Sequence, residues 1–134
     1  MGDYVLGVDG CRSGWLFCRY EIPTRCVSFG KSPSFSELLD RHRDAKYVAV
    51  DIPIGLWDDG RPRRCDVEAR RPLAGPRSSS VFPAPPRCLL DEPSYTAACE
   101  QSRRMFGKGI SKQAHAIYPK IAEVDRLMTP ELQD

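Results

Sequence analysis

The sequence predicts an α/β fold on a mixed sheet: three antiparallel strands, a helix, a fourth strand parallel to the first, and then further helices. Three observations carry this. Short runs rich in β-branched and aromatic residues, separated by glycine, proline or aspartate, fill the first thirty positions. A capped amphipathic segment follows them. After it comes a further, nearly continuous apolar run, and a strand–helix–strand crossover favours a parallel, right-handed placement of its two strands.

The elements can be justified in order. Residues 4–8 (YVLGV) read as the first strand, and Asp9-Gly10 and Ser13-Gly14 punctuate it as turn residues do. Residues 15–20 (WLFCRY) form the second strand, Pro23-Thr24 a turn, and residues 26–29 the third strand. Ser34 stands three residues before Glu37, a capping box at a helix start. Phe35, Leu38, Leu39 and the stem of His42 share one face of that helix, which should end near Asp44-Ala45. Residues 46–52 (KYVAVDI) are the fourth strand, closed by Pro53 and Gly55, and the unbroken apolar run predicts cover on both faces. This succession is the opening of an RNase H-like fold, in which the fourth strand lies beside the first.

From Trp57 to Arg87 the chain is rich in Pro, Gly, Ser and Arg, and only residues 64–71 look helical before Pro72 stops them. Residues 94–106 form a helix with Tyr95, Ala98, Cys99, Ser102 and Met105 along one side, broken by Gly107 and Gly109. A last helix over residues 111–128 carries Ile117, Ile121, Val124 and Met128 as its apolar stripe, and Pro119 should kink or divide it. The expectation is a single domain over residues 1–134.

Composition narrows the function. Hydrophobic residues make up 41% and charged residues 28%, as in globular chains, which excludes a disordered protein. A net charge of +2 argues against a strong polyanion binder, so local clusters matter more. Arg61, Arg63, Arg64, Arg70, Arg71, Arg77 and Arg87 form one such cluster, either a phosphate-holding loop or a solvated basic face. The six cysteines contain no Cys-x-x-Cys pair, which argues against a zinc or redox site and for reduced thiols in core or strand positions. The opening MGDYVLGVDG is too short and too charged for a signal peptide, and Leu6 stands where a myristoylation signal wants Ser or Thr. With no apolar run long enough for a membrane span, the expectation is a cytoplasmic chain with no membrane partner.

Asp9 and Asp51 are the sharpest chemical signal. Each follows a valine at the end of an apolar strand and precedes a turn. A carboxylate at the end of a buried strand is costly unless paired, and two brought together repel. Mg²⁺ or Mn²⁺ resolves both problems through hard oxygen ligands, and such an ion activates water for phosphodiester hydrolysis. The bland alternative is that each aspartate caps a turn.

Other patterns are weaker. GVDGCRSGW has glycines but no Gly-Lys-Ser/Thr and no following helix, so it is no phosphate loop. It is similar to the Asp-Gly hairpin of actin-like sugar kinases, which keeps a phosphotransferase open as an alternative. Ser78, Ser79 and Ser80 lack an evident histidine base. Asp66 and Arg70, four apart, suit a surface helix pair. Gln113 and Lys120, seven apart on the last helix, share a face that can reach a phosphate, with Glu123 and Asp125 beside them; a solvated polar face explains the same group.

Five blocks in order, GVDGCRSGW, DIPIGL, RRCDVEAR, SSVFPAPPR and GISKQAHAIYPKIAEVD, resemble the domain of unknown function 429 family. Its members look like RNase H-fold proteins described as predicted nucleases. The resemblance implies metal and catalytic roles for Asp9 and Asp51. It implies substrate-binding roles for Arg64, Asp66 and Arg70, and for Gln113, Lys120, Glu123 and Asp125. The implied cofactor is Mg²⁺ or Mn²⁺, and the implied partner a nucleic acid or phosphoester substrate. A non-catalytic nucleic-acid or nucleotide-binding module is the other reading. Family members usually continue into a His-Pro-Glu motif, a Lys-rich stretch and a helix with further acids. This sequence stops at Thr129-Pro130-Glu131-Leu132-Gln133-Asp134. The expectation is a domain truncated at its C-terminus, inactive as a fragment or self-associating through an uncovered sheet edge.

Overall fold

The computed structural model describes residues 2–73 and 75–133. The chain divides into two compact units between Ile52 and Pro53.

The first unit is a four-stranded mixed sheet of order β3-β2-β1-β4. Its strands are β1 (Tyr4–Cys11), β2 (Gly14–Glu21), β3 (Val27–Ser32) and β4 (Tyr47–Val50), with helix α1 (Phe35–Arg41) between β3 and β4. β1 pairs antiparallel with β2 and β2 antiparallel with β3, whereas β4 runs parallel to β1. The mixed α/β architecture expected from sequence is therefore present.

One sheet face is buried and the other is open. Tyr4, Leu6 and Val8 alternate inward along β1, and with Trp15, Phe17, Phe35 and Leu38 they form the core of this unit. Each large side chain so buried contributes about 1.5–3 kcal/mol. The Trp15 and Phe35 rings meet at 5.0 Å between centroids. Gly14 holds φ 135°, and a Cβ there would stand 2.2 Å from the carbonyl oxygen of Ser32. Only glycine lets the β1–β2 hairpin close against the end of β3.

Several boundaries differ from expectation. β1 runs on through Asp9 and Gly10 to Cys11, and the hairpin turns at Arg12-Ser13 instead. Continued pairing with β2 outweighs the turn preference of Asp-Gly. β4 stops at Val50 and is not covered on both faces: Tyr47 and Ala49 are exposed. It is an edge strand with one neighbour, so an apolar run did not mean two covered faces. Ser34 caps α1 by accepting from the Glu37 N–H at 3.1 Å. The reciprocal half of the box is not made, because Glu37 pairs with Arg41. The helix ends at His42, earlier than expected, since His42 turns inward between Tyr4 and Phe17.

The second unit is helical. It contains α2 (Arg64–Arg70), α3 (Tyr95–Phe106), α4 (Lys112–Ala116), α5 (Tyr118–Asp125) and the single turn α6 (Pro130–Gln133). Three 3-10 turns, Arg71–Leu73, Gly75–Ser80 and Arg87–Leu89, organise the segment that read as an irregular loop. Ser94 caps α3, and Gly107 ends it at φ 72°, a left-handed stop. Ala98, Cys99 and Ser102 face inward as expected, but Met105 is exposed. The expected last helix is divided at Ile117 (φ −99°, ψ −2°). Pro119 sits in the first turn of α5, where its missing N–H costs nothing, whereas a continuous helix would drive its ring into a carbonyl. No disulfide forms among the described residues; Cys11 and Cys18 lie in strands and Cys99 in the core as expected, whereas Cys26, Cys65 and Cys88 are exposed outside both. No helix among the described residues is long and apolar enough to cross a membrane.

Candidate functional site

The register of the sheet brings Asp9 and Asp51 together. Val8 pairs with Val50 across the parallel β1–β4 ladder, and the Asp51 N–H donates to the Val8 carbonyl at 3.0 Å. Asp9 and Asp51 each directly follow this last pair of the ladder, Asp9 within β1 and Asp51 in the bend just after β4, where the Ile52 N–H donates to the Val50 carbonyl at 3.0 Å. Across the sheet, Asp9 is paired with Leu16 and Leu16 with Lys31. The row Lys31–Leu16–Asp9 lies on the open face, Asp51 follows the end of β4, and all four residues are exposed.

The neighbouring rows shape that face. Phe29, Cys18, Gly7 and Ala49 form the next row, and Val27, Tyr20, Val5 and Tyr47 the one beyond. A Cβ at Gly7 would meet nothing within 4 Å. Gly7 and Ala49 thus leave a shallow open floor beside the aspartates, with Phe29 and Tyr47 standing 74% and 65% exposed around it.

The two carboxylates differ from most acids in the chain. Asp40, Asp44, Asp59, Asp66, Asp91 and Asp125 each accept a hydrogen bond from a side chain. Asp9 and Asp51 have no side-chain hydrogen bond or ion pair among the described residues. Like charges at adjacent positions destabilise a sheet, and a hard cation between them reverses that sign. Of the two expected causes, desolvation at buried strand ends is not found, since both residues are exposed and Asp9 lies within its strand. Among the described residues no group of three or more His, Cys, Asp or Glu can hold a metal. Two carboxylates still fit Mg²⁺ or Mn²⁺, which bind through one or two carboxylates and retain water.

The remaining sequence candidates lie in the second unit, and most are structurally engaged. Asp66 does not pair with Arg70. Arg63 reaches it first, with Nε to Oδ2 at 2.9 Å and Nη2 to Oδ1 at 2.7 Å, while Nη1 donates to the Ile54 carbonyl at 2.7 Å. Arg70 donates to the Val81 carbonyl at 3.2 Å. These bonds fasten Ile54 and Val81 to α2 within the second unit. Asp125 receives both arms of Arg87, at 2.8 and 3.2 Å. Gln113 lies on α4 and Lys120 on α5, so they do not share one helix face. Lys120 and Glu123 are half-buried and Gln113 is exposed. Arg64 is exposed, with no polar side-chain partner among the described residues.

Sequence reasoning missed Arg63 as the clamp and Lys31 as a member of the aspartate row. Lys31 was within reach of strand register, but Arg63 was hidden among similar neighbours, any of which suited Asp66.

The family model described as "Protein of unknown function (DUF429)" matches residues 7–134. No curated protein and no solved structure matches the chain.

Proposed function

The chain belongs to the DUF429 family, and from that premise we propose that it is a metal-dependent phosphodiesterase or nuclease domain of RNase H-like type. Asp9 and Asp51 hold Mg²⁺ or Mn²⁺ in this reading. The observation that carries it is the pair itself: two exposed carboxylates, each directly following the last pair of the parallel β1–β4 ladder, neither with a side-chain partner among the described residues. A bound divalent ion supplies an activated water and stabilises a leaving oxygen. The chain's own contribution is positional. The β1–β4 ladder brings the backbones that carry the two aspartates side by side at Val8 and Val50, and the small side of Gly7 and Ala49 leaves room for a substrate above the sheet. The strand order with β4 parallel to β1 supports the RNase H-like assignment. Arg64 is the cation of the substrate-binding group most open to a phosphate. Cysteines that form no disulfide among the described residues accord with a cytoplasmic location.

The test is cleavage of labelled single- and double-stranded DNA and RNA with Mn²⁺, beside Asp9→Asn and Asp51→Asn. Cleavage lost in both variants supports the reading. Absence of both cleavage and Mn²⁺ binding in the unaltered chain sinks it. A non-catalytic nucleic-acid or nucleotide-binding module is favoured by the small donor set, two carboxylates where hydrolases commonly add a third. Salt-sensitive binding without cleavage would select it.

A further inference from the structure

The second unit contains an open cavity of about 220 Å³, lined in part by Pro83, Pro86, Leu89, Phe106, Gly109 and Tyr118. It exceeds the ~150 Å³ cavity that holds benzene and falls below the ~300 Å³ at which drug-sized sites begin. There is room inside for one ring system, and the open mouth lets the rest of a ligand lie outside. Proline and aromatic walls suit a flat apolar face. None of the lining residues is acidic.

Two further observations give the cavity polar character. Tyr118 is only 4% exposed, and its hydroxyl has no hydrogen-bond partner among the described residues. It is not one of the buried side-chain atoms that lack a partner, so the hydroxyl keeps access to solvent and is a donor and acceptor open to a ligand. Burial, with Cys99 nearby, pushes its pKa up to about 12, which keeps the proton in place at neutral pH. At Gly109 a Cβ would stand 3.4 Å from Nη2 and 3.5 Å from Nε of Arg103, so that guanidinium lies against the glycine. Lys108, next in the chain, also lines the cavity. Arg103 and Lys108 are exposed and have no acidic partner among the described residues, whereas Arg87 and Arg126 of the same unit are ion-paired. An apolar slot for one ring system beside two uncompensated cations is complementary to a flat molecule carrying a phosphate.

We propose that this cavity binds a nucleoside monophosphate, with the base between the proline run and Phe106 and the phosphate at Arg103 and Lys108. Tyr118 supplies a hydrogen bond to the base edge. The site uses neither Asp9 nor Asp51, so it stands or falls apart from the metal reading.

The experiment is calorimetric titration of the whole chain with AMP, GMP, CMP and UMP in EDTA, with the free nucleosides and inorganic phosphate as separate arms. Saturable binding of at least one mononucleotide is expected. It should weaken about tenfold or more in the Arg103→Ala/Lys108→Ala double variant, the loss that follows from removing charge-assisted bonds. Tyr118→Phe, which keeps the ring and its packing, should weaken it severalfold. Asp9→Asn and Asp51→Asn should leave it unchanged. No binding at millimolar mononucleotide overturns the proposal. So does binding indifferent to the double variant, phosphate alone binding as tightly as the nucleotide, or loss of binding in Asp9→Asn.

Discussion

The N–H of Asp51 donates to the carbonyl of Val8 at 3.0 Å, and this bond closes the last pair of the parallel β1–β4 ladder, Val8 with Val50. Asp51 then enters a bend in which the Ile52 N–H donates to the Val50 carbonyl at 3.0 Å. The bond thus ties the Asp51 backbone to the strand that carries Asp9.

The metal reading makes a direct prediction. Mn²⁺ titrated into the chain should bind, and Asp9→Asn or Asp51→Asn alone should each weaken binding at least about tenfold, since a single carboxylate is a poor site. Both residues are exposed, so each variant should keep its stability within about 0.5 kcal/mol or gain slightly from relieved repulsion. Binding indifferent to both substitutions would remove the pair from the chemistry.

His42 should make folding pH-dependent. Burial holds its pKa below the ordinary 6.5, and Arg19 and Arg41 press it the same way. Tyr4 donates to Asp44 at 2.5 Å, so the 3.3 Å contact between the Tyr4 oxygen and His42 Nδ1 needs the proton on Nδ1. Nε2 is then buried without a partner, and a second proton there would have no acceptor. The folded state takes up a proton less readily than the unfolded state, so stability is complete above pH 6.5 and falls as the pH drops below it. Thermal melts between pH 7.5 and 5.5 should show a declining Tm, with a flatter profile in His42→Phe. An equal slope in that variant would assign the effect elsewhere.

The Arg63 clamp should be structural. Its pair with Asp66 is largely shielded from solvent, at 16% and 12% side-chain exposure. Arg63→Ala leaves a buried carboxylate and the Ile54 carbonyl without their donor, and should cost about 3 kcal/mol in urea unfolding. Arg63→Met with Asp66→Leu should recover much of that loss, because no uncompensated charge remains. A loss below about 0.5 kcal/mol would mark the pair as an ordinary surface contact.

The open sheet face predicts solution behaviour. Phe29 and Tyr47 are exposed beside Leu16, Tyr20 and Val27, a contiguous apolar surface of the kind that drives association. Phe29→Thr with Tyr47→Thr should raise the concentration at which the chain self-associates in sedimentation. Unfolding stability should change by no more than about 0.5 kcal/mol. An unchanged association profile would point to the edges of β3 and β4 instead.

Local signals in the sequence were enough for the elements that depend on them. The apolar run Tyr4–Val8 marked a strand, the capping box at Ser34 marked a helix start, and Gly107 and Pro119 marked stops. Those devices act within a few residues, so the sequence by itself determined them, along with the mixed α/β order. It also singled out Asp9 and Asp51 as the acids to watch. Only the tertiary structure decided their surroundings. Exposure of β4 depends on whether a neighbour lies beside it, and no periodicity within four residues reports that. The choice of Arg63 over Arg70 as the partner of Asp66 depends on where the Ile54 carbonyl lies, a constraint set outside the helix. The aspartate row depends on a register bond between residues 43 positions apart. Pairing across that separation is fixed by hydrogen bonds and packing that exist only once the chain has closed on itself.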